Sequence, residues 1–149
     1  MNTIQIDRKL DKVEGFLGAF PYNQMPKPKK KQFSLIINTS SSDEPGTHWL
    51  ALVYKDNVYY FVDSYGRDIT NITFSNKFRF AIKRFIGKKQ YRYNKKLIQQ
   101  LTSNTCGDYA IYFIHTLNNN ISLQDSLKLF SSNLEYNDVC IKYLVKNLL

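Results

Sequence analysis

The stretch HWLALVYKDNVYYFVD, residues 48–63, is the most informative part of this sequence. Two runs within it, 48–54 and 58–63, are almost continuously apolar and rich in β-branched and aromatic residues. Such runs are typical of strands that are covered on both faces of a sheet. The intervening Lys55-Asp56-Asn57 is typical of a tight turn. The stretch therefore predicts a β-hairpin at the centre of the fold.

Two polar residues, His48 and Asp63, lie at the open end of this hairpin. They are eight and seven residues from Asp56, so the register predicts that they lie nearly opposite each other. A carboxylate beside an imidazole can fix the tautomer of a general base and stabilise its imidazolium. An Asp at the end of an apolar strand can equally cap a turn, so this pair alone does not establish a catalytic site.

Shorter patterns on either side of the hairpin complete the organisation of the chain. Further strands are predicted at 33–38, 91–93 and 97–100, and an irregular aromatic loop at 16–24. Helical patterns occupy 4–15, 74–86 (with Gly87 as C-cap), 106–117, 122–130 and 137–149. Because no repeat or linker divides the sequence, we expect a single α+β domain, residues 1–149, with a small mixed central sheet flanked by helices.

Cys106 follows a polar turn and begins the apolar helical pattern 106–117. At a helix N-terminus the dipole lowers a thiol pKa, free N–H groups can bind an oxyanion, and Gly107 lets a substrate backbone approach. A lone cysteine is more often a small buried hydrophobe, so its assignment depends on its partners. His115, nine residues later, lies on the opposite face of the same helix, which leaves His48 as the candidate base.

Four short motifs occur in the order histidine, acid, glutamine, cysteine: GTHW at 46–49, FVDSYG at 61–66, Gln100, and Cys106-Gly107. The acid comes 15 residues after the histidine, and the glutamine six residues before the cysteine. This set resembles the adenovirus-type (adenain-like) cysteine endopeptidases, in the wider group that includes the SUMO-deconjugating proteases. The resemblance extends over roughly residues 16–117.

The resemblance implies a role for each matching residue. Cys106 would be the nucleophile, His48 the base, Asp63 its orienter and Gln100 an oxyanion donor. The substrate-contacting positions would be these five: Gly18, Gly46, Thr47, Trp49 and Gly107. Adenovirus enzymes often carry Glu where this chain has Asp63, and they are activated by a peptide held through a disulfide. Because no cysteine precedes Cys106, a covalent peptide activator is not expected.

The net charge of +9, from 21 basic and 12 acidic residues, favours polyanionic partners. Four of the cations, Lys27, Lys29, Lys30 and Lys31, form an exposed block. A solubilising surface explains this charge equally well, but the resemblance implies DNA as an activator. No metal or other cofactor is expected.

Two cysteines, no apolar leader pattern and no apolar run of about 20 residues argue against secretion, disulfides and membrane insertion. These features predict an intracellular protein. The resemblance further implies a monomer in the host nucleus or cytoplasm that is also packaged in the virion.

Three functions remain open at this point. The first is an endopeptidase of a DNA virus or virus-like element that cleaves capsid or core precursors at small, glycine-type residues. The second is an isopeptidase that removes SUMO- or ubiquitin-like modifiers with the same triad. The third is an inactive relative that binds nucleic acid or associates with the capsid.

Overall fold

The computed structural model describes residues 1–147 and 149, and its centre is a five-stranded mixed sheet. The strands, in spatial as well as chain order, are β1 (Phe16–Pro21), β2 (Phe33–Asn38), β3 (Trp49–Lys55), β4 (Val58–Val62) and β5 (Gln90–Tyr93). The three inner strands pair antiparallel, and each outer strand pairs parallel with its neighbour. The predicted α+β architecture, a small mixed sheet flanked by helices, is confirmed.

Helices cover both faces of the sheet. They are α1 (Thr3–Leu10), α2 (Asn76–Ile86), α3 (Cys106–Asn118), α4 (Leu123–Leu127) and α5 (Leu134–Asn147), with a short 3₁₀ turn at Tyr22–Gln24. One core joins α1, α3, α4 and α5 to the sheet, and a second, more aromatic core joins α2 to the opposite face. In the described part of the chain, no helix has the length and apolarity needed to cross a membrane.

The central hairpin forms as the sequence predicts. Successive residues of β3 enter opposite cores: Ala51 and Val53 face α3, while Leu50 and Leu52 face the aromatic core. Burial on both faces accounts for the near-continuous apolar run. The turn residues Asp56 and Asn57 both have positive φ, 52° and 64°, which is the backbone that a two-residue hairpin with the sheet's twist requires.

Two predicted segments are wrong. Residues 16–24 are not an irregular loop, because Phe16–Pro21 pairs parallel with β2 along the sheet edge, with a register shift around Gly18. Pro21 lies at the end of this edge strand, where its missing N–H interrupts no central ladder. Residues 97–100 are not a strand. They belong to an irregular segment between β5 and α3 whose backbone is bound by side chains of α5.

Helix boundaries differ from the predicted ones by a few residues. The first helix ends at Leu10 rather than near Gly15, and α2 begins at Asn76, after the Ser75 hydroxyl caps it. Gly87 caps α2 as predicted, with φ 64° and an N–H donated to a carbonyl of the last turn. The fourth predicted helix, 122–130, is shorter, and the fifth spans Leu134–Asn147; residue 148 lies outside the described residues.

Candidate active site

His48 and Asp63 meet where β3 begins and β4 ends. The ladder pairs Ala51 with Val62; its continuation places His48 opposite Tyr65, so His48 and Asp63 are diagonal rather than directly opposite. Their side chains still meet, because the His48 Nε2 lies 2.6 Å from Asp63 Oδ1. Asp63 is completely buried and His48 is 7% exposed, so water does not compete for this contact.

The thiol of Cys106 lies on the other side of the His48 ring. Cys106 is the first residue of α3, and its Sγ accepts a hydrogen bond from the Trp49 N–H at 3.4 Å. The thiol is also close enough to His48 for the hydrogen bonding and the charge of the imidazole to lower the thiol pKa. Since Nε2 of the imidazole is held by Asp63, Nδ1 is the nitrogen left for the thiol. The structure therefore brings Cys106, His48 and Asp63 together at one site.

The pKa values of this trio follow from its burial and its hydrogen bonds. Burial opposes ionisation of Cys106, but the hydrogen bonding and charge of His48 outweigh it and lower the thiol pKa below its ordinary value. Burial also lowers the pKa of His48, yet the bonds to Asp63 and Cys106 and their charges raise it to about 8. Burial raises the pKa of Asp63, and His48 and Arg67 together hold it below its usual range. These shifts favour a thiolate–imidazolium pair.

Gln100 lies in the segment that leads into α3. It is half-buried; its backbone N–H donates to Asp138 Oδ2 at 3.4 Å, and its carbonyl accepts from Ser103. Its neighbour Gln99 is fully buried, bound to the Ser64 hydroxyl and to Ser103. The two adjacent glutamines therefore differ in their surroundings, since the side-chain amide of Gln99 is used in hydrogen bonds that hold this segment in place.

The predicted substrate-contacting residues lie in different surroundings. Gly46 and Trp49 line an open cleft of about 400 Å³ beside the site, and Thr47 is held by hydrogen bonds to Asn38, Thr39 and Ser40. Gly18 lies in β1 with φ 130°, against the ring of Phe20, and this backbone conformation by itself favours glycine.

Gly107 lies beneath the N-terminal residue. A methyl group added there would lie 3.3 Å from the Met1 side chain and 3.6 Å from the Trp49 ring. The indole N–H of Trp49 also donates to the Met1 carbonyl at 3.0 Å. The surface at Gly107 where substrate is expected is therefore in contact with Met1.

Three residues that the sequence did not predict contact His48 or Asp63. The Tyr65 ring stacks on His48, with centroids 4.7 Å apart, and Arg67 binds the second oxygen of Asp63. Buried Asn94 exchanges two hydrogen bonds with the backbone of Asp63. Tyr65 and Arg67 lie two and four residues after Asp63, so their proximity to it was the one available indication; Asn94, 31 residues away, gave none.

The block of lysines begins at Lys27, which lies against α2. All four lysines are exposed, and the Lys27 ammonium binds the Phe85 carbonyl at the end of α2 at 3.2 Å. Lys27 and Arg84 line the same cleft. The sequence from residue 69 to 107, which includes α2, carries nine basic residues and no acidic ones. Within residues 1–147 and 149, no group of three or more His, Cys, Asp or Glu side chains is placed to hold a metal ion.

Comparison with known proteins agrees with the motifs. The sequence profile described as adenovirus endoprotease matches residues 16–132. Among solved structures, the ASFV pS273R protease is 14% identical with a TM-score of 0.57, over 97% of this chain and 66% of that protein. ChlaDub1 from Chlamydia trachomatis is 13% identical with a TM-score of 0.48, over 81% and 63%.

At 14% identity the ASFV protease structure supports the fold alone, and this chain spans just under two thirds of that protein. None of the curated proteins compared with the sequence matches it. The profile, by contrast, matches most of the chain, from β1 to the segment after α4. The chain therefore belongs to the adenovirus endoprotease family of cysteine proteases.

Proposed function

We propose that this chain is a cysteine endopeptidase with Cys106 as nucleophile, His48 as general base and acid, and Asp63 as orienter. The observation that carries the proposal is the buried imidazole of His48, held between the Asp63 carboxylate and the Cys106 thiol. The thiolate that this arrangement favours is the reactive form of cysteine. Its position at the N-terminus of α3 adds the helix dipole to the stabilisation.

The reaction begins with transfer of the thiol proton to Nδ1 of His48. The thiolate then adds to the scissile carbonyl carbon, and the resulting oxyanion is bound by the Cys106 N–H and the Gln100 side-chain amide. Such donors are commonly worth about 3 kcal/mol each. The imidazolium gives its proton to the leaving amine, which departs with formation of a thioester. Water, deprotonated by His48, attacks the thioester and releases the acid and the free thiol.

The substrates we propose are capsid or core precursor polypeptides of a DNA virus or virus-like element, cleaved after small, glycine-type residues. The family of the chain supports this choice. The cleft bounded by Gly46 and Trp49 is the surface beside Cys106 that an extended peptide would occupy. The protein would act in the host nucleus or cytoplasm and in the virion, as a monomer.

We also propose that the basic α2 side binds DNA. The exposed Lys29, Lys30 and Lys31, together with the acid-free sequence around α2, are the features that support it. Binding to phosphates weakens steeply with salt, so titration of a labelled duplex at increasing salt tests the proposal. Replacement of these three lysines by glutamine should weaken binding and flatten the salt dependence. Replacement of Lys142 and Lys146, on α5 across the sheet, is the matched control.

Fluorogenic peptides test the enzymatic proposal. Cleavage of a peptide with a Gly-Gly site, and not of its Leu-Leu counterpart, should be seen with the wild type and be absent from Cys106→Ala. A ubiquitin- or SUMO-aminocoumarin conjugate serves as the competing substrate. Preferential cleavage of the conjugate would assign the isopeptidase function instead. Absence of any cleavage, with DNA binding intact in Cys106→Ala, would point to an inactive binding module.

A further inference from the structure

Arg67 is a charged residue that the proposed mechanism does not use, although it contacts a member of the triad. Its Nε donates to Asp63 Oδ2 at 2.7 Å, and its backbone N–H points to the same oxygen at 3.4 Å. The other oxygen, Oδ1, is bound by His48. Because Asp63 is fully buried, these partners take the place of water around its carboxylate.

The guanidinium of Arg67 is fixed by further contacts. Its central carbon lies 4.1 Å from the centre of the Phe74 ring and 5.2 Å from that of Tyr65. One terminal nitrogen donates to Thr73 Oγ1 at 3.2 Å. The side chain is 21% exposed. An exposed ion pair is typically mobile and weak, whereas this one is held between two rings and against a buried acid.

We propose that Arg67 is a positioning residue for the Cys106–His48–Asp63 reaction. It holds the Asp63 carboxylate so that Oδ1 faces His48, and it partly neutralises the negative charge of that carboxylate. This inference rests on the function proposed above. A planar guanidinium suits the task because it binds a carboxylate oxygen in a defined direction, which an ammonium does not.

The charge of Arg67 also affects how readily His48 releases its proton. His48 faces Asp63, the Cys106 thiol and the Tyr65 ring; Asp63 faces His48, Arg67 and the neutral amide of Asn94. When the guanidinium is removed, the negative charge of Asp63 acts on the His48 imidazolium without a second positive charge beside it. The pKa values of both Asp63 and His48 should then rise, because a nearby positive charge favours the ionised acid and disfavours the protonated base.

The decisive experiment compares Arg67→Gln and Arg67→Lys with the wild type. For Arg67→Gln we expect kcat to fall at least about tenfold with KM nearly unchanged, and the alkaline limb of the kcat profile to move up by about one pH unit. Arg67→Lys keeps the charge and should restore the pH profile but only part of kcat. Arg8→Gln, on exposed α1, removes an arginine that contacts neither the triad nor the proposed DNA-binding region and should match the wild type.

An NMR titration of the His48 ring in the Cys106→Ala background separates this inference from the proposed function. It needs no substrate, and His115→Gln identifies the signals of the second histidine. A rise of about one unit in the His48 pKa on adding Arg67→Gln supports the inference even if no peptide is cleaved. An unchanged His48 pKa, or a pH profile of Arg67→Gln that overlays the wild-type profile, would overturn it.

Discussion

The two sides of the candidate active site are held in place by different kinds of structure. On one side, the strand-held side, His48 and Asp63 flank paired strands, so the backbone ladder between β3 and β4 sets their separation. On the other, the loop-held side, Gln100 lies on an irregular segment that ends at Cys106 and is not part of a ladder. A side-chain substitution that leaves the backbone in place should therefore have different consequences on the two sides.

Side chains of α5 hold the irregular segment. The Asp138 carboxylate accepts hydrogen bonds from Thr105 Oγ1 at 3.0 Å and Tyr109 OH at 2.7 Å, and from the Gln100 N–H. Asn137 donates to the Ile98 carbonyl at 3.1 Å. The irregular segment thus depends on buried polar groups from a distant part of the chain. Such networks are rigid when fully satisfied and lose order when one member is removed.

Asp63→Asn should have the largest effect, because it changes the chemistry of the strand-held side without disturbing its ladder. A neutral amide stabilises the imidazolium less than a carboxylate does, and it can present its NH2 rather than its oxygen to His48, so we expect kcat to fall by up to about 10⁴-fold. The asparagine keeps an oxygen for Arg67, so cooperative unfolding should persist. Asp68→Asn, in the same turn region, is the control. Near-wild-type turnover of Asp63→Asn would remove Asp63 from the mechanism.

The adjacent glutamines test the loop-held side. Gln100→Ala removes the proposed oxyanion donor and should lower kcat by about 10²–10³-fold while leaving stability nearly unchanged. Gln99→Ala deprives the buried Ser64 hydroxyl and the Ser103 carbonyl of their hydrogen-bond partner. It should therefore lower the free energy of unfolding by about 1–3 kcal/mol. Peptide kinetics and urea denaturation measure the two effects. The reverse pattern would show that Gln99 is the functional amide.

Asp138→Ala, on the same side, should lower both the stability of the protein and its activity. Loss of an acceptor for Thr105 and Tyr109 should lower the free energy of unfolding by about 1–3 kcal/mol. It should also reduce kcat, because Gln100 loses its anchor. Glu135→Gln, an exposed acid on α5, is the matched control and should change stability by less than about 0.5 kcal/mol. A stable Asp138→Ala with unchanged kcat would contradict the role assigned to α5.

The pH dependence of stability isolates the strand-held pair, and we expect its effect to be smallest. In Cys106→Ala the thiol no longer titrates, while the hydrogen bond and the charge of Asp63, which help to raise the His48 pKa in the wild type, remain. We expect them to keep the folded-state pKa of His48 above its ordinary 6.5. The stability from this pair is then complete below pH 6.5 and is lost as the pH rises through the folded-state pKa. We expect a decrease of about 1–2 kcal/mol in urea denaturation between pH 6.5 and 9. Adding His48→Gln should flatten the curve; an equally steep curve would place the titrating group elsewhere.

The sequence was sufficient for the features that depend on local patterns. The 48–63 hairpin could be predicted because successive residues of its strands are buried on opposite faces of the sheet, which makes the runs almost continuously apolar. Gly87 ended α2 as expected. The strand at Phe16–Pro21 was missed because its pairing with β2 is tertiary, whereas Gly18 and Pro21 argue locally for a loop. The segment 97–100 was misread because its backbone is held not by a strand ladder but by hydrogen bonds to Asn137 and Asp138 of α5, some 40 positions away. Arg67 carries no motif of its own, since its role comes from the geometry of the turn after β4.

The most direct test of the account is the rate of Cys106 alkylation against pH, followed by mass spectrometry in the wild type and in His48→Ala. Cys140, half-buried on α5, serves as an internal reference for labelling. We predict rapid labelling of Cys106 that persists well below a free-thiol pKa of about 8.5 and is lost in His48→Ala. If Cys106 is labelled no faster than Cys140, or equally fast without His48, the thiolate–imidazolium pair does not exist and the assignment as a cysteine protease fails.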